Sequence, residues 1–371
     1  MNEIRAGARR ALKEAAASVL ERTGARGLLG EVQRYLAGGR RVSIFAWHRV
    51  VPDFERMRRK VIPGMLTSVE TFDRQIAWIG RSWRIVPLSH ALEVFAGRAK
   101  SDRDLAVITF DDGYADFLEF ALPILEKHGA PATLYISSGH VDSGEPFLHD
   151  RLYRSLRRFA WLELRPRGIG ASDDVAAALE ATPRVDPCAA VEHLIERHDR
   201  EKLARIADAL ERFLGDDPKT LVDDCRILGW EGLREVQSRG VSIGAHTVDH
   251  RCLPNESLDE VERQLQISRA RIEEQLGREV RDFAYPNGWY SPRTLRQVAG
   301  AGYRSAVTTE DRAIRQGHDP LALGRKCVWE FTSRGLFGWS DSVNSCNLDG
   351  TLGFLGLTRW VPGERDRAAA G

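Results

Sequence analysis

The sequence predicts an α/β protein whose strands run parallel, and three observations carry that expectation. Short apolar runs recur at 41–48, 84–88, 104–110, 131–137, 241–246, 280–286 and 303–309, each of strand length. Segments with helical periodicity separate most of them, and a strand–helix–strand order implies crossover connections between parallel strands. His48, Asp111, Asp112, His246 and Tyr285 all fall at the C-terminal ends of such runs. That end carries the chemistry in barrels and open α/β sheets alike.

Taken in order, RVSIFAWHRV (41–50) reads as a buried strand ending at His48, followed by a loop over 52–66. Thr67 and Ser68 are cap-like residues ahead of a helix whose period runs through Phe72, Ile76 and Ile79. Strand 84–88 leads to a helix stopped by Gly97, and strand 104–110 leads to a helix over 115–129 that ends on glycine. After strand 131–137 the rhythm breaks. Residues 140–225 are charged, lack strand signals and hold a helical run at 191–215, so they predict a mainly helical insertion over one face. Alternation resumes with helix 230–240, strand 241–246, helix 257–277, strand 280–286, helix 291–302 and strand 303–309. The main domain is thus 41–330, flanked by an N-terminal helical segment (1–40) and a C-terminal extension (331–371) whose tail, 363–371, is expected to be disordered.

Composition is that of a globular protein, 43% hydrophobic and 29% charged, with a net charge of +1. No overall field points to nucleic acid. The five cysteines are odd in number and form no CxxC, which argues against a disulfide framework and for a reducing compartment. The N-terminus lacks the unbroken apolar core of a signal peptide, and no stretch is long enough to span a membrane. A cytoplasmic protein is expected. Ile4, Ala8, Leu12, Ala15, Val19 and Leu20 share one side of a helix that also carries Arg5, Arg9, Arg10 and Lys13. Such a helix can pack on the domain, or make peripheral contact with the inner face of a membrane.

VITFDDGYAD (107–116) sets two carboxylates side by side at a strand end. They repel, and burying either is costly unless something neutralises it. A solvated Asp-Asp-Gly turn is one solution, and a cation is another. GAHTVDH (244–250) supplies His246 and His250 four residues apart, which a single helical turn would bring to one side. With a carboxylate from 111–112 they make the two-nitrogen, one-oxygen ligand set of a catalytic zinc or related divalent ion. His140 and His149, in the insertion, read as surface residues, and Thr247 as a hydrogen bond within its turn.

TFDDG (109–113), HTVDH (246–250) and FAYPNG (283–288), in this order, resemble the polysaccharide deacetylases of the NodB-homology group, carbohydrate esterase family 4. The resemblance covers about 41–330 outside the insertion and implies a distorted (β/α)7 barrel. It implies that Asp112, His246 and His250 hold one divalent metal, zinc first, with cobalt, nickel, manganese or iron as alternatives. Asp111 becomes the general base toward the attacking water, and the backbone N–H of Tyr285 an oxyanion donor on a loop shaped by Pro286, Asn287 and Gly288. The strand-end His48 resembles the branch that uses such a histidine as general acid. Some relatives begin the third motif with an arginine that orients the base; here DFAYPNG has none, and Arg325 in LGRKCV is the candidate substitute. Trp289 and Tyr290, just past the turn, are placed to stack on sugar faces. The implied substrate is an acetylated glycan, or a lipid-linked sugar, of a cell envelope or exopolysaccharide. An O-acetyl carbohydrate esterase would share this mechanism, and a non-catalytic glycan-binding protein would share the scaffold.

Overall fold

A computed structural model of the chain describes residues 2–161, 170–183, 186–312, 314 and 317–357. Ten strands are found among them: β1 (Val42–Trp47), β2 (Arg49–Val51), β3 (Leu66–Ser68), β4 (Arg84–Ile85), β5 (Leu105–Phe110), β6 (Ala132–Ile136), β7 (Ser242–Ala245), β8 (Asp282–Ala284), β9 (Ser305–Val307) and β10 (Lys326–Cys327). Eight form one sheet in the order β10-β1-β5-β6-β7-β8-β9, with β4 beside the start of β5. Every ladder is parallel, as the alternation of strands and helices requires. The short β2 and β3 pair separately.

The register aligns the strand ends. Trp47 pairs with Phe110, Ile136 with Ala245, Ala245 with Phe283, and Ala284 with Val307. The next residue on each strand therefore comes to one rim: His48, Asp111, Ser137, His246, Tyr285 and Thr308. The segment after β9 then closes the curled sheet. Leu323 N–H donates to Ala306 on β9 and Leu323 O accepts from Thr308 N–H just past its end, and Val328 N–H donates to Ala46 on β1. Sequence patterning misses this closure because β10 is two residues long and one of them is a lysine.

Strand β5 is buried along its whole length, which matches its near-continuous apolar sequence. Aromatic rings fill the layer outside it: Trp47 lies 5.4 Å from Phe72 and 5.9 Å from Phe110, centroid to centroid. Helices form where they are expected, the one over 115–129 as a π-helical stretch, Phe117–Ala121, running into helix Leu122–Lys127. Ser68 accepts from Thr71 N–H at the start of Val69–Ser82, and Ser257 caps Leu258–Leu276.

The insertion leaves the barrel between β6 and β7, on the rim side. It is helical as expected, but the 191–215 run is two helices, Pro187–Arg197 and Arg200–Leu214, because Asp199 caps a second start by accepting from Lys202 N–H. Leu152, Leu156, Leu194, Ile206 and Leu210 give it an apolar core of its own. The N-terminal helix Asn2–Arg22 packs against Asp341–Leu348, where Ala17 meets Val343 and Cys346 together with Leu352 of the short helix Thr351–Phe354, and Ala25–Leu36 lies beside that short helix. Of the N-terminal stripe, the side chains of Ile4, Arg5, Ala8 and Arg9 lie outside the described residues, as does the tail 363–371. No disulfide joins any of the five cysteines.

Candidate metal centre and active site

Asp112, His246 and His250 converge at the rim. Each offers one ligand atom, and these atoms lie within 4.8 Å of one another. Asp112 Oδ1 is 3.6 Å from His246 Nε2 and 3.4 Å from His250 Nε2. The Asp112 side chain is only 1% exposed, yet neither of its carboxylate oxygens has a hydrogen-bond partner. A buried carboxylate in that state is unfavourable as an anion. Burial, and then the neighbouring Asp111 and Asp150, push its pKa well above the ordinary carboxylate value. A divalent cation would reverse that, so the donor set and the orphaned carboxylate fit a metal.

The imidazoles are presented for ligation. His246 Nδ1–H donates to Ala284 O at 2.7 Å. A carbonyl only accepts, so the proton sits on Nδ1 and the Nε2 lone pair faces Asp112. The His250 ring is held by packing: His246, His149 and Phe147 stand edge-on to it at centroid distances of 4.8, 5.0 and 5.5 Å. Burial lowers the pKa of His246 and holds that of His250 well below the ordinary value, which keeps both neutral.

Backbone strain marks the same residues. Among the described residues the non-glycine positions with positive φ are Asp112 (74°), Thr247 (67°), His250 (56°) and Asn287 (58°), all within the three motifs. Left-handed backbone costs a non-glycine residue of order 1 kcal/mol or more, and it persists where the surroundings enforce it. Gly113 follows Asp112 at φ 82°, and a Cβ there would approach Ile136 to 2.9 Å. The expected bend is real, but Asp112 shares it. The expected helical turn over 246–250 is not formed. Two left-handed residues make the turn instead, and Gln264 Oε1 accepts from Val248 N–H at 2.8 Å. The Thr247 hydroxyl is buried without a partner, so its expected bond within the turn is absent as well.

Asp111 stays clear of the ligand cluster and is gripped by Arg325. The guanidinium donates Nη1–H to Oδ1 at 2.7 Å and Nη2–H to Oδ2 at 2.6 Å. Its Nε–H donates to Thr308 O at 2.9 Å, anchoring it to the end of β9. Burial alone would raise the Asp111 pKa, but Arg325 outweighs it and holds the carboxyl at about 2. Arg325 is thus no surface residue. It reaches Asp111 from the closing segment, whereas Arg281 pairs outside with Glu279.

His48 stands at the end of β1 next to Asp111. Burial brings its pKa down to about 4, against the charge of Asp111, so the ring is neutral near pH 7. Sequence reasoning mistook His140 and His149 for surface residues; they are 4% and 7% exposed. His149 Nε2–H donates to Tyr114 Oη at 3.0 Å, and Tyr114 O–H donates to Asp150 at 2.7 Å. The stacked Phe147 and His149 rings, 5.1 Å apart, were a hidden signal in the PFLHD segment (146–150).

Two expectations for the third motif are corrected. The Tyr285 N–H donates to Val307 O at 3.1 Å, so the sheet ladder occupies this oxyanion donor. Trp289 does not present a face to solvent. It is 8% exposed and packs into the insertion's core beside Cys252, because the insertion needs an apolar seam with the barrel. Pro286, Asn287 and Gly288 do form a tight turn. Gly288 has φ 72°, and a Cβ there would lie 2.1 Å from Thr309 Oγ1, so only glycine fits. Asn287 Oδ1 is buried and unpartnered, in a small cavity it shares with His149 and His250. Trp230 donates its indole N–H to Asp142 at 2.7 Å.

A family model described as polysaccharide deacetylase matches residues 98–306, more than half of the chain. The chain belongs to the polysaccharide deacetylase family. The Bacillus subtilis protein YxkH, which carries the family's name, is 29% identical over 108 residues. That match covers 29% of this chain and 39% of YxkH. Among solved structures, the Streptococcus pyogenes deacetylase PplD in complex with acetate superposes with a TM-score of 0.52 at 17% identity, covering 78% of this chain and 92% of PplD. IcaB from Ammonifex degensii gives 0.51 at 18% identity over 79% and 94% of the two chains. A de-N-acetylase from Aggregatibacter actinomycetemcomitans gives 0.51 at 15% identity over 82% and 98%. At these identities the likeness establishes the deacetylase-type curled barrel.

Proposed function

We propose that the chain is a metal-dependent deacetylase that removes acetyl from an N-acetylated sugar of a cell-envelope or exopolysaccharide, or of its lipid-linked precursor. The observation that carries this reading is the division of labour within the DDG motif. Asp112 is buried, unpartnered and faced by two neutral imidazoles, while its neighbour Asp111 is fixed as an anion by Arg325. Asp112, His246 and His250 would hold a divalent ion, which when bound polarises the acyl carbonyl and acidifies water. Asp111 takes the proton of the attacking water. A carboxyl whose pKa is held at about 2 gives that proton up again readily. His48, neutral near pH 7, accepts a proton before it can deliver one to the departing nitrogen. The C–N bond breaks, and acetate and a free amine leave.

The acetate held by the similar Streptococcus pyogenes deacetylase is the product expected here. Five cysteines with no disulfide among them support a reducing compartment, and we place the enzyme on the cytoplasmic side. The insertion stands on the rim and supplies Phe147 and His149 beside His250, so it shapes which glycan enters.

The test is acetate release from a panel of N-acetylated and O-acetylated glycans and lipid-linked sugars by metal-loaded protein, beside Asp111→Asn and His246→Ala. Release from N-acetylated substrates, lost in both variants, is expected. Full activity of Asp111→Asn would remove the base assignment, and acetate from O-acetylated substrates alone would make the protein an esterase.

A further inference from the structure

Apolar side chains are prominent on the outward faces of the two N-terminal helices, interrupted on the second by the exposed Glu31, which pairs with Arg34. On helix Ala25–Leu36, Leu28, Val32, Tyr35 and Leu36 follow the i, i+4, i+7, i+8 spacing of one helical face. They are 72, 44, 85 and 47% exposed, and no residue of that helix is buried. On helix Asn2–Arg22, Leu12 and Val19 point outward at 64 and 59% exposure. The charged residues beside them turn inward: Lys13 donates to Phe331 O, and Glu14 accepts from Leu336 N–H. At these positions charge turns inward and leucine outward, the inverse of an ordinary surface helix, although Arg22 and Glu31 face solvent. Phe354, 50% exposed, extends the patch next to Leu36.

The same segment concentrates positive charge. Residues 1–40 carry eight basic and four acidic side chains, a net +4, whereas the whole chain is +1. Arg22 and Arg40, near the ends of the two helices, are exposed. Exposed aliphatic side chains, an interfacial tyrosine and a local positive charge together match an anionic lipid surface. A second copy of the chain would set two +4 segments against each other, which like charge opposes. Residues 358–371 hold only Trp360 and Val361 as large apolar side chains, too few to cover the patch. No described helix is long and apolar enough to cross a membrane, so the contact would be peripheral.

We propose that this face docks on an anionic lipid bilayer, with helix Ala25–Leu36 lying in the interface and Leu28, Val32 and Tyr35 among the headgroups. The proposal names a membrane partner and stands independently of the reaction at the rim.

The test is co-sedimentation of the full chain with vesicles of phosphatidylcholine alone and of phosphatidylcholine mixed with phosphatidylglycerol. Binding to the mixed vesicles, weakened by added salt, is expected. Arg22→Gln and Arg40→Gln should each lose about fivefold in partitioning, the worth of one basic residue near an anionic surface. The double variant Leu28→Glu, Val32→Glu should abolish binding with circular dichroism and melting temperature unchanged; if it misfolds, the arginine variants still decide. No binding, or equal binding to both vesicle types, would overturn the proposal. So would a dimer in light scattering that the double variant dissolves.

Discussion

Arg325 grips Asp111 through two parallel charge-assisted hydrogen bonds of 2.7 and 2.6 Å, although the residues are 214 positions apart. The pair joins the end of β5 to the segment that closes the barrel, so it is both an electrostatic and a topological tie. Removing one partner of a buried ion pair leaves the other charge uncompensated, at about 3–5 kcal/mol. Arg325→Met should lower stability by that order and abolish acetate release. The double variant Asp111→Asn, Arg325→Met should recover much of the stability and none of the activity. Urea denaturation of the four proteins measures the coupling, and additive losses would show that the pair is not a unit.

The metal expectation has a readout apart from turnover. Asp112 is a buried, unpartnered carboxylate, so the metal-free protein should gain stability from Asp112→Asn, which removes the charge and keeps the shape. The unmodified protein should instead be stabilised by an added divalent ion, by about 2.7 kcal/mol at a hundredfold excess over Kd. Thermal melts with zinc, cobalt, nickel, manganese and iron, each against chelator, check both halves. Equal metal-induced shifts in the Asp112→Asn variant would remove Asp112 from the ligand set.

Much of this site was legible in sequence because its residues sit one position past a strand end, and parallel register turns that position into proximity. His48, Asp111 and His246 follow this rule, while Asp112 and His250 are brought to the same rim by the left-handed turns that come after those strand ends. Arg325 does not, because it stands just before the two-residue β10 rather than after a strand, and it was reached through the missing arginine of the third motif. Trp289, His140 and His149 were misread for one shared reason. Their surroundings are set by how the insertion folds back on the barrel, a long-range packing that local polarity does not encode. The Tyr285 N–H was misassigned because a ladder bond depends on register, which spacing alone leaves open.

The insertion can be tested as a support for the third ligand. Phe147 is fully buried, with its ring 5.5 Å from that of His250 and 4.1 Å from that of His140. Phe147→Ala should cost about 3–5 kcal/mol from the cavity left behind. It should also loosen His250, whose orientation rests on packing, and weaken metal affinity about tenfold or more. Calorimetric metal titration separates the two effects. Destabilisation with unchanged affinity would make Phe147 a core residue alone.

His48 gives a pH signature whose sign is fixed by its environment. Burial, against the opposing pull of Asp111, holds the folded-state pKa at about 4, below the unfolded value of 6.5. Between those values the unfolded chain binds a proton at position 48 that the folded chain does not, so stability rises with pH through that window. The contribution is fully present above pH 6.5 and is lost as pH falls toward about 4. His48→Gln removes the titrating group and keeps a polar side chain. The melting-temperature difference, wild type minus variant, should therefore shrink between pH 7 and pH 5, as thermal melts at matched ionic strength would show. A difference that grows on acidification would mean that the folded state favours the imidazolium, and His48 would then enter the reaction already protonated.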